Sequence, residues 1–246
     1  MDPNQLWEAF KNNLCDDLCH CLIHTLYIPE PIQEQIYGYG LHLIDQDLRR
    51  HDKCLQDFPS MPRPQLDWSH QKGHQLINEQ LAYDIQEQQD HVERGLTTLN
   101  AQQSTLYHAV IESVLNSHGS TFFLHSGSGC DKTYLAKLIA AGVCATGRIV
   151  HCVASTGLAS LLLPGGHTAH SRFKIPIPCH DQSTCNIKKD DAIHKFLKRT
   201  SIVIWDETAS QYHYVMEIVD HTLHDLLNHS NQPFEGITIL FGGDFW

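Results

Sequence analysis

Apolar positions in the first hundred residues recur at helical spacing, and beyond them the rhythm shortens to that of strands. Between residues 4 and 26 the series Leu6, Phe10, Leu14, Leu18 and Leu22 predicts an amphipathic helix, which Pro29 and Pro31 bring to an end. A second helical stretch is expected over residues 32–55. The connector FPSMPRPQLDW follows, where Pro59, Pro62 and Pro64 favour extended chain. A third, polar helix is expected over 74–93, with Leu76, Leu81 and Ile85 as a thin apolar stripe. After Leu99, short β-branched or aromatic runs at 121–124, 148–153, 201–205 and 238–241 alternate with helical segments. Alternation of this kind predicts an α/β domain with a parallel sheet flanked by helices, here residues 99–246, preceded by a mainly helical leader, residues 1–98.

The strand at 121–125 runs directly into SGSGCDKTYLAKL, residues 126–138, and then into an amphipathic helix, which is the context of a phosphate-binding loop. In such a loop the backbone N–H groups of Ser126, Gly127, Ser128, Gly129, Cys130 and Asp131 and of the helix start cradle phosphate. Lys132 reaches the β and γ oxygens, and the Thr133 hydroxyl ligates magnesium. The pattern G-x-x-x-x-G-K-[ST] is met imperfectly, because Ser126 and Asp131 stand at its glycine positions. An ionised Asp131 about 5 Å from a phosphate costs about 3 kcal/mol at an effective dielectric near 20 unless its carboxylate points outward.

The buried run SIVIWDET at 201–208 ends in adjacent acids, and the carboxyl ends of parallel strands are where ligands sit. Asp206 suits a magnesium ligand and Glu207 a group that positions and deprotonates the attacking water. The plainer reading makes Asp206 the cap of the next helix. A third run, ITILFGGDF, ends in a Gly-Gly-Asp turn at the same edge. Between them, ASTGLASLLLPGGHTAHSRFKIP (154–176) offers hydroxyls, glycines, Arg172 and Lys174 to a sugar–phosphate chain, with Phe173 as an aromatic for base stacking. Its plainer reading is a helix capped by Ser155 or Thr156 over a core of Leu158, Leu161 and Leu162.

Charge refines this picture. A net charge of −11 argues against a nucleic-acid partner, since Lys and Arg supply most non-specific affinity. Yet residues 1–98 hold 16 acidic and 7 basic side chains against 12 and 10 in residues 99–246, so the excess belongs to the leader. Seven of the ten basic residues of the second part fall between Arg172 and Arg199, a local positive stretch. Apolar runs are far shorter than the roughly 20 residues of a membrane helix, and the start has no secretory pattern, which implies an intracellular protein without a membrane partner. The nine cysteines, irregularly spaced, are expected as reduced thiols. Cys15, Cys19, Cys21 and His24 cannot all converge on one metal from a regular helix.

From Leu99 to Phe245 the chain resembles the Pif-type DNA helicases of superfamily I, especially the helicase part of Helitron transposon proteins. The likeness lies in LNAQQ, SGSGCDKT, ASTGLASLLLPGGHTAHSRFKIP, STCNIKK, IVIWDE and GGDF, in the family's order. The resemblance implies a RecA-like P-loop ATPase domain using ATP and Mg2+, with Gln103 reading adenine and Glu207 and Lys132 in catalysis. It also places Thr156, Gly157, His170 and Ser171 in segments that contact single-stranded DNA, with Arg172 and Lys174 close by. The implied activity is 5′-to-3′ unwinding driven by ATP hydrolysis, in DNA repair, recombination and telomere maintenance or in transposition, and hence in the nucleus. Trp246 takes a position usually held by Arg, and the chain ends before the Gln that senses the γ-phosphate and before the second RecA-like domain. A rival reading is a catalytically inactive, transposon-derived remnant that binds nucleotide or DNA weakly, and Asp131 favours it.

Overall fold

The computed structural model describes the chain except for residues 1, 25, 27, 50, 52, 67, 69–75, 79, 126–130, 181, 229, 230, 245 and 246, and the side chain of His24. Two compact units divide it, Met1–Asn78 and Glu79–Trp246. The expected division near residue 98 therefore falls inside the second unit.

In the first unit, α1 (Pro3–Leu14) opens with Pro3 in its first turn and Asp2 accepting the Asn4 N–H, and it stops at Cys15. α2 (Leu18–His24) and α3 (Gln33–Arg49) follow. The single helix expected over 4–26 is thus two, and the break changes which face is buried. Leu6, Phe10 and Leu14 are exposed, whereas Trp7, Cys15, Leu18 and Leu22 join Tyr39, Leu41, Leu55 and Trp68 in the core. An i, i+4 series taken alone drifts around the cylinder, so the stripe that continues across Leu14 is not one face.

The second unit begins its regular structure with α4 (Ile85–Leu96), capped by the Asp84 carboxylate, which accepts from Gln86 N and Glu87 N. Ile85 and Leu81, two positions of the thin apolar stripe expected over 74–93, are exposed. α4 belongs here because Gly95 lets it approach α6 (Lys132–Cys144), where a Cβ on Gly95 would stand 2.3 Å from Leu138 Cδ1. α5 (Ala101–Leu115) precedes β1 (Thr121–His125), and β2 (Ile149–Ala154), α7 (Gly157–Leu161), β3 (His167–Thr168) and α8 (Ala169–Arg172) come after α6. α9 (Ala192–Arg199), β4 (Thr200–Asp206), α10 (His213–Leu227) and β5 (Thr238–Gly243) complete the unit.

The five strands are all parallel, in the order β1-β5-β4-β2-β3. β2, β4 and β5 are buried on both faces, as a helix-covered parallel sheet requires. Alternation sends Ile202, Ile204 and Leu240 to the side of Tyr107, Val110, Leu138 and Ile139 from α5 and α6. It sends Val203, Trp205, Ile239 and Phe241 to Phe173, Leu197, Ile218 and Leu223 on the other side. The fold is that of an α/β P-loop NTPase, with every strand's carboxyl end on one edge. Among the described residues no helix is long and apolar enough to cross a membrane.

Candidate functional site

Residues 126–130, the heart of the expected phosphate loop, lie outside the described residues, but both of its borders are placed. β1 ends at His125, paired with Gly243 of β5, and α6 starts at Lys132. Asp131 holds φ 57°, the left-handed conformation that a glycine adopts freely and that Asp and Asn tolerate best among the rest. The side chain is exposed, makes no capping hydrogen bond to α6 and borders the cavity described below, so its charge is not removed from the site.

Lys132 crosses from the start of α6 to the end of β5, where its ammonium forms an ion pair with the Asp244 carboxylate. Thr133, the next helical residue, is half-buried. A cavity of about 360 Å³ adjoins Lys132, lined also by Asn100, Gln103, Leu106, His125 and Asp131. Gln103 is the third residue of α5 and forms a capping box. Its N–H donates to Asn100 Oδ1 at 2.9 Å, and its Oε1 accepts the Asn100 N–H at 3.1 Å. That bond fixes the carboxamide at the cavity wall, and its NH2 has no partner among the described residues.

Asp206 terminates β4, one strand over from β5, and is buried. Its Oδ1 accepts the Glu207 N–H at 2.9 Å, and its carbonyl accepts the Ser155 N–H at 3.2 Å. β5 can pass this carboxylate only because residue 242 is glycine, since a Cβ there would lie 2.8 Å from Asp206 Oδ1. Thr208 ties the same corner by donating its hydroxyl to the Gly242 carbonyl at 3.0 Å. Glu207, half-buried, adopts φ 55°, a left-handed corner that turns the chain off the strand. The next helix, α10, is capped at Tyr212 without any side-chain bond, so Asp206 is not its cap. Lys132 and Asp206 thus belong to one edge of the sheet, with Asp244, just past the intervening strand β5, against Lys132 and Gly242 of that strand against Asp206.

The residues fit a nucleotide carrying a divalent cation. The ammonium, the Thr133 hydroxyl and a buried carboxylate are the donor set that such a complex needs, and Ser155 Oγ is buried at this edge without a hydrogen-bond partner among the described residues. Among the described residues no three His, Cys, Asp or Glu side chains gather into a metal site of their own. Phosphate oxygens and water would have to supply the remaining ligands.

The expected DNA-contacting residues follow β2 and β3 on the same edge. Thr156 caps α7, accepting the Ala159 N–H at 3.2 Å, and a Cβ on Gly157 would meet nothing within 4 Å. Thr168 caps α8 by accepting the Ser171 N–H at 3.3 Å. Ser171 is exposed and His170 half-buried. The capping half of the plainer reading is right for Thr156, but its core is not, because Leu158 and Leu161 are 78% and 80% exposed. Two further expectations are corrected. Phe173 is a core residue, 1% exposed and stacked on Trp205 at 5.6 Å, so it has no face for a base. The basic stretch is not one surface either. Arg172 lies over the Phe196 ring at 5.1 Å and Lys174 pairs with Asp191 at 3.1 Å, whereas Lys198 and Arg199 close α9 just before β4 begins, at the opposite edge of the sheet.

Asp244 and Gly242 are the site residues to which the sequence had given no role. The Gly-Gly-Asp turn marked the place, but the partners that give it meaning, Lys132 and Asp206, are brought by tertiary structure alone.

A family described as PIF1-like helicase matches residues 98–246, more than half of the chain. ATP-dependent DNA helicase PIF4 of Trypanosoma brucei brucei (strain 927/4 GUTat10.1) is 27% identical over 132 residues, which are 52% of this chain and 16% of that protein. Among solved structures, one concerned with DNA unwinding at forked dsDNA by two coordinating Pif1 helicases superposes with a TM-score of 0.50 at 22% identity. It covers 59% of this chain and 33% of that one. Pif1 helicase from Candida albicans gives 0.49 at 25% identity, over 60% and 32% of the two chains. The chain therefore spans about a third or less of the length of these relatives.

Proposed function

Because this chain belongs to the PIF1-like helicase family, we propose that residues 98–246 bind ATP with Mg2+ at the carboxyl edge of the sheet, as the nucleotide half of a DNA helicase motor. The observation that carries this reading is the placement on one edge of the sheet of Lys132, which lines a cavity together with Gln103, and of Asp206 at the end of β4, each against the end of β5. Gln103 would meet the adenine edge with its carboxamide, and Lys132 the β and γ phosphates. Thr133 and Asp206 would hold Mg2+, which supplies charge neutralisation at the phosphate oxygens. Glu207 would orient the attacking water and take its proton.

Coupling to DNA is a proposal for the full-length architecture of the family, of which this chain spans a part of the relatives' length. Support comes from the names of the relatives, an ATP-dependent DNA helicase and a helicase that unwinds forked DNA. Single-stranded DNA would run along the ends of β2 and β3, against Thr156, Gly157, His170, Ser171 and Lys174. Of the two arginine and lysine candidates, Lys174 is the exposed one, and Arg172 serves that surface by packing on Phe196. Polarity of 5′ to 3′, work in repair, recombination, telomere maintenance or transposition, and a nuclear location extend the same proposal.

The test is equilibrium titration of a fluorescent ATP analogue with Mg2+. Lys132→Ala is expected to weaken binding at least about tenfold, as removal of a charge-assisted contact does. Equal affinity of the two chains would defeat the reading. A second reading, a remnant that binds too weakly to turn over, is favoured by Asp131. It predicts negligible binding that Asp131→Gly restores, since glycine removes both the charge and the left-handed strain. The motor reading predicts measurable binding by both chains.

A further inference from the structure

The ion pair between Lys132 and Asp244 has a consequence for how the site accepts an anion. Lys132 is the cation at the cavity, and its ammonium is engaged by a carboxylate of the same chain, with side chains 11% and 20% exposed. A phosphate that reaches Lys132 must displace Asp244 or share the ammonium with it. Sharing brings phosphate and carboxylate within a few ångströms of each other, where like charges repel strongly in a partly buried setting. Asp206, on the far side of Gly242, and Glu207 beside it add negative charge to the same edge.

We propose that Asp244 is a resident counter-anion, a positioning residue that holds Lys132 at the mouth of the cavity and competes with the nucleotide's phosphates for it. Its competition makes tight binding conditional on a divalent cation, because only the cation offsets the carboxylates that remain once the phosphates arrive. The backbone supports such a role. Asp244 follows Gly242 and Gly243 directly, so the end of β5 carries two residues without side chains and then the acid, which leaves the Lys132 ammonium within its reach. The inference rests on the nucleotide-binding reading given above and adds to it a built-in competitor.

The test compares wild type with Asp244→Asn, which keeps the shape and an acceptor oxygen but removes the charge. A fluorescent ADP analogue is titrated into each chain, once with EDTA and once with Mg2+. Expected is binding roughly fivefold tighter for Asp244→Asn in EDTA, the scale of a partly exposed ion pair, with the gap narrowing in Mg2+. Asp244→Ser should show the same tightening, which guards against misfolding of one variant, and Asp244→Glu should return to wild-type behaviour. A merely structural role would weaken affinity or leave it unchanged, and so would a role as magnesium ligand, so either outcome overturns the inference. Equal binding by both chains overturns the inference alone. Absence of binding by every variant overturns it together with the nucleotide-binding reading.

Discussion

His151 sits on β2 with both ring nitrogens buried and without hydrogen-bond partners among the described residues, between the rings of Phe173 at 4.9 Å and Phe196 at 5.1 Å. Burial, reinforced by the charges of Arg172 and His167, holds its pKa well below the ordinary 6.5. The folded chain therefore binds that proton less readily than the unfolded chain. The stability that depends on a neutral His151 is fully present above about pH 6.5 and is lost as the pH falls from there through the folded-state value, by up to about 1.4 kcal/mol per pH unit. Urea denaturation at pH 7.5 and pH 5 should show a large drop for wild type and a smaller one for His151→Leu, and equal drops would refute the assignment. Other residue-scale features were partly legible. Asp131 was visible as a misfit in a glycine position, but that it is exposed and left-handed is a property of the turn. The role of Gly242 could not be read, because the neighbour that forbids a side chain there, Asp206, is 36 positions away in sequence.

At the scale of elements, the strands were the most readable part. The expected runs at 121–124, 148–153, 201–205 and 238–241 lie almost wholly within β1, β2, β4 and β5, because two-sided burial leaves a continuous β-branched and aromatic run. β3, with two residues paired to β2, is too short to carry any pattern. The leader's helices were misjudged in their breaks, since Cys15–Asp17 interrupts a spacing that still looks helical, and the caps Asp2 and Asp84 mark the true starts. Helix packing in the second unit turns on small residues that pattern alone does not flag. A Cβ at Gly142 of α6 would lie 2.3 Å from the Tyr107 hydroxyl and 3.1 Å from Ile111 Cδ1, both on α5. Tyr107 is 5% exposed and has no room to retreat. Gly142→Val should therefore lower stability by about 1–3 kcal/mol through overpacking, read as a shifted urea midpoint with an unchanged slope. A variant as stable as wild type would show that α5 and α6 are packed differently.

For the whole molecule, the acid excess and the chemistry reside in different halves of the sequence, so the net charge of −11 says little about the proposed site. What makes the second unit a candidate motor domain is the order β1-β5-β4-β2-β3, which sets β5 between the strand that leads to the expected phosphate loop and the strand that ends in Asp206. That order could not be read from one sequence, although the family resemblance implied the fold. It leads to a claim about two groups rather than one: Lys132 and Asp206 act on the same nucleotide–cation complex. The most direct measurement is a double-mutant cycle of Mg2+-dependent ATP binding by calorimetry, using Lys132→Ala, Asp206→Asn and the pair. Groups that share one ligand complex should couple, so the double variant should lose less than the two single losses combined, with a coupling energy of about 0.5–3 kcal/mol. Losses that simply add, or a variant of either residue that binds as wild type does, would contradict the account.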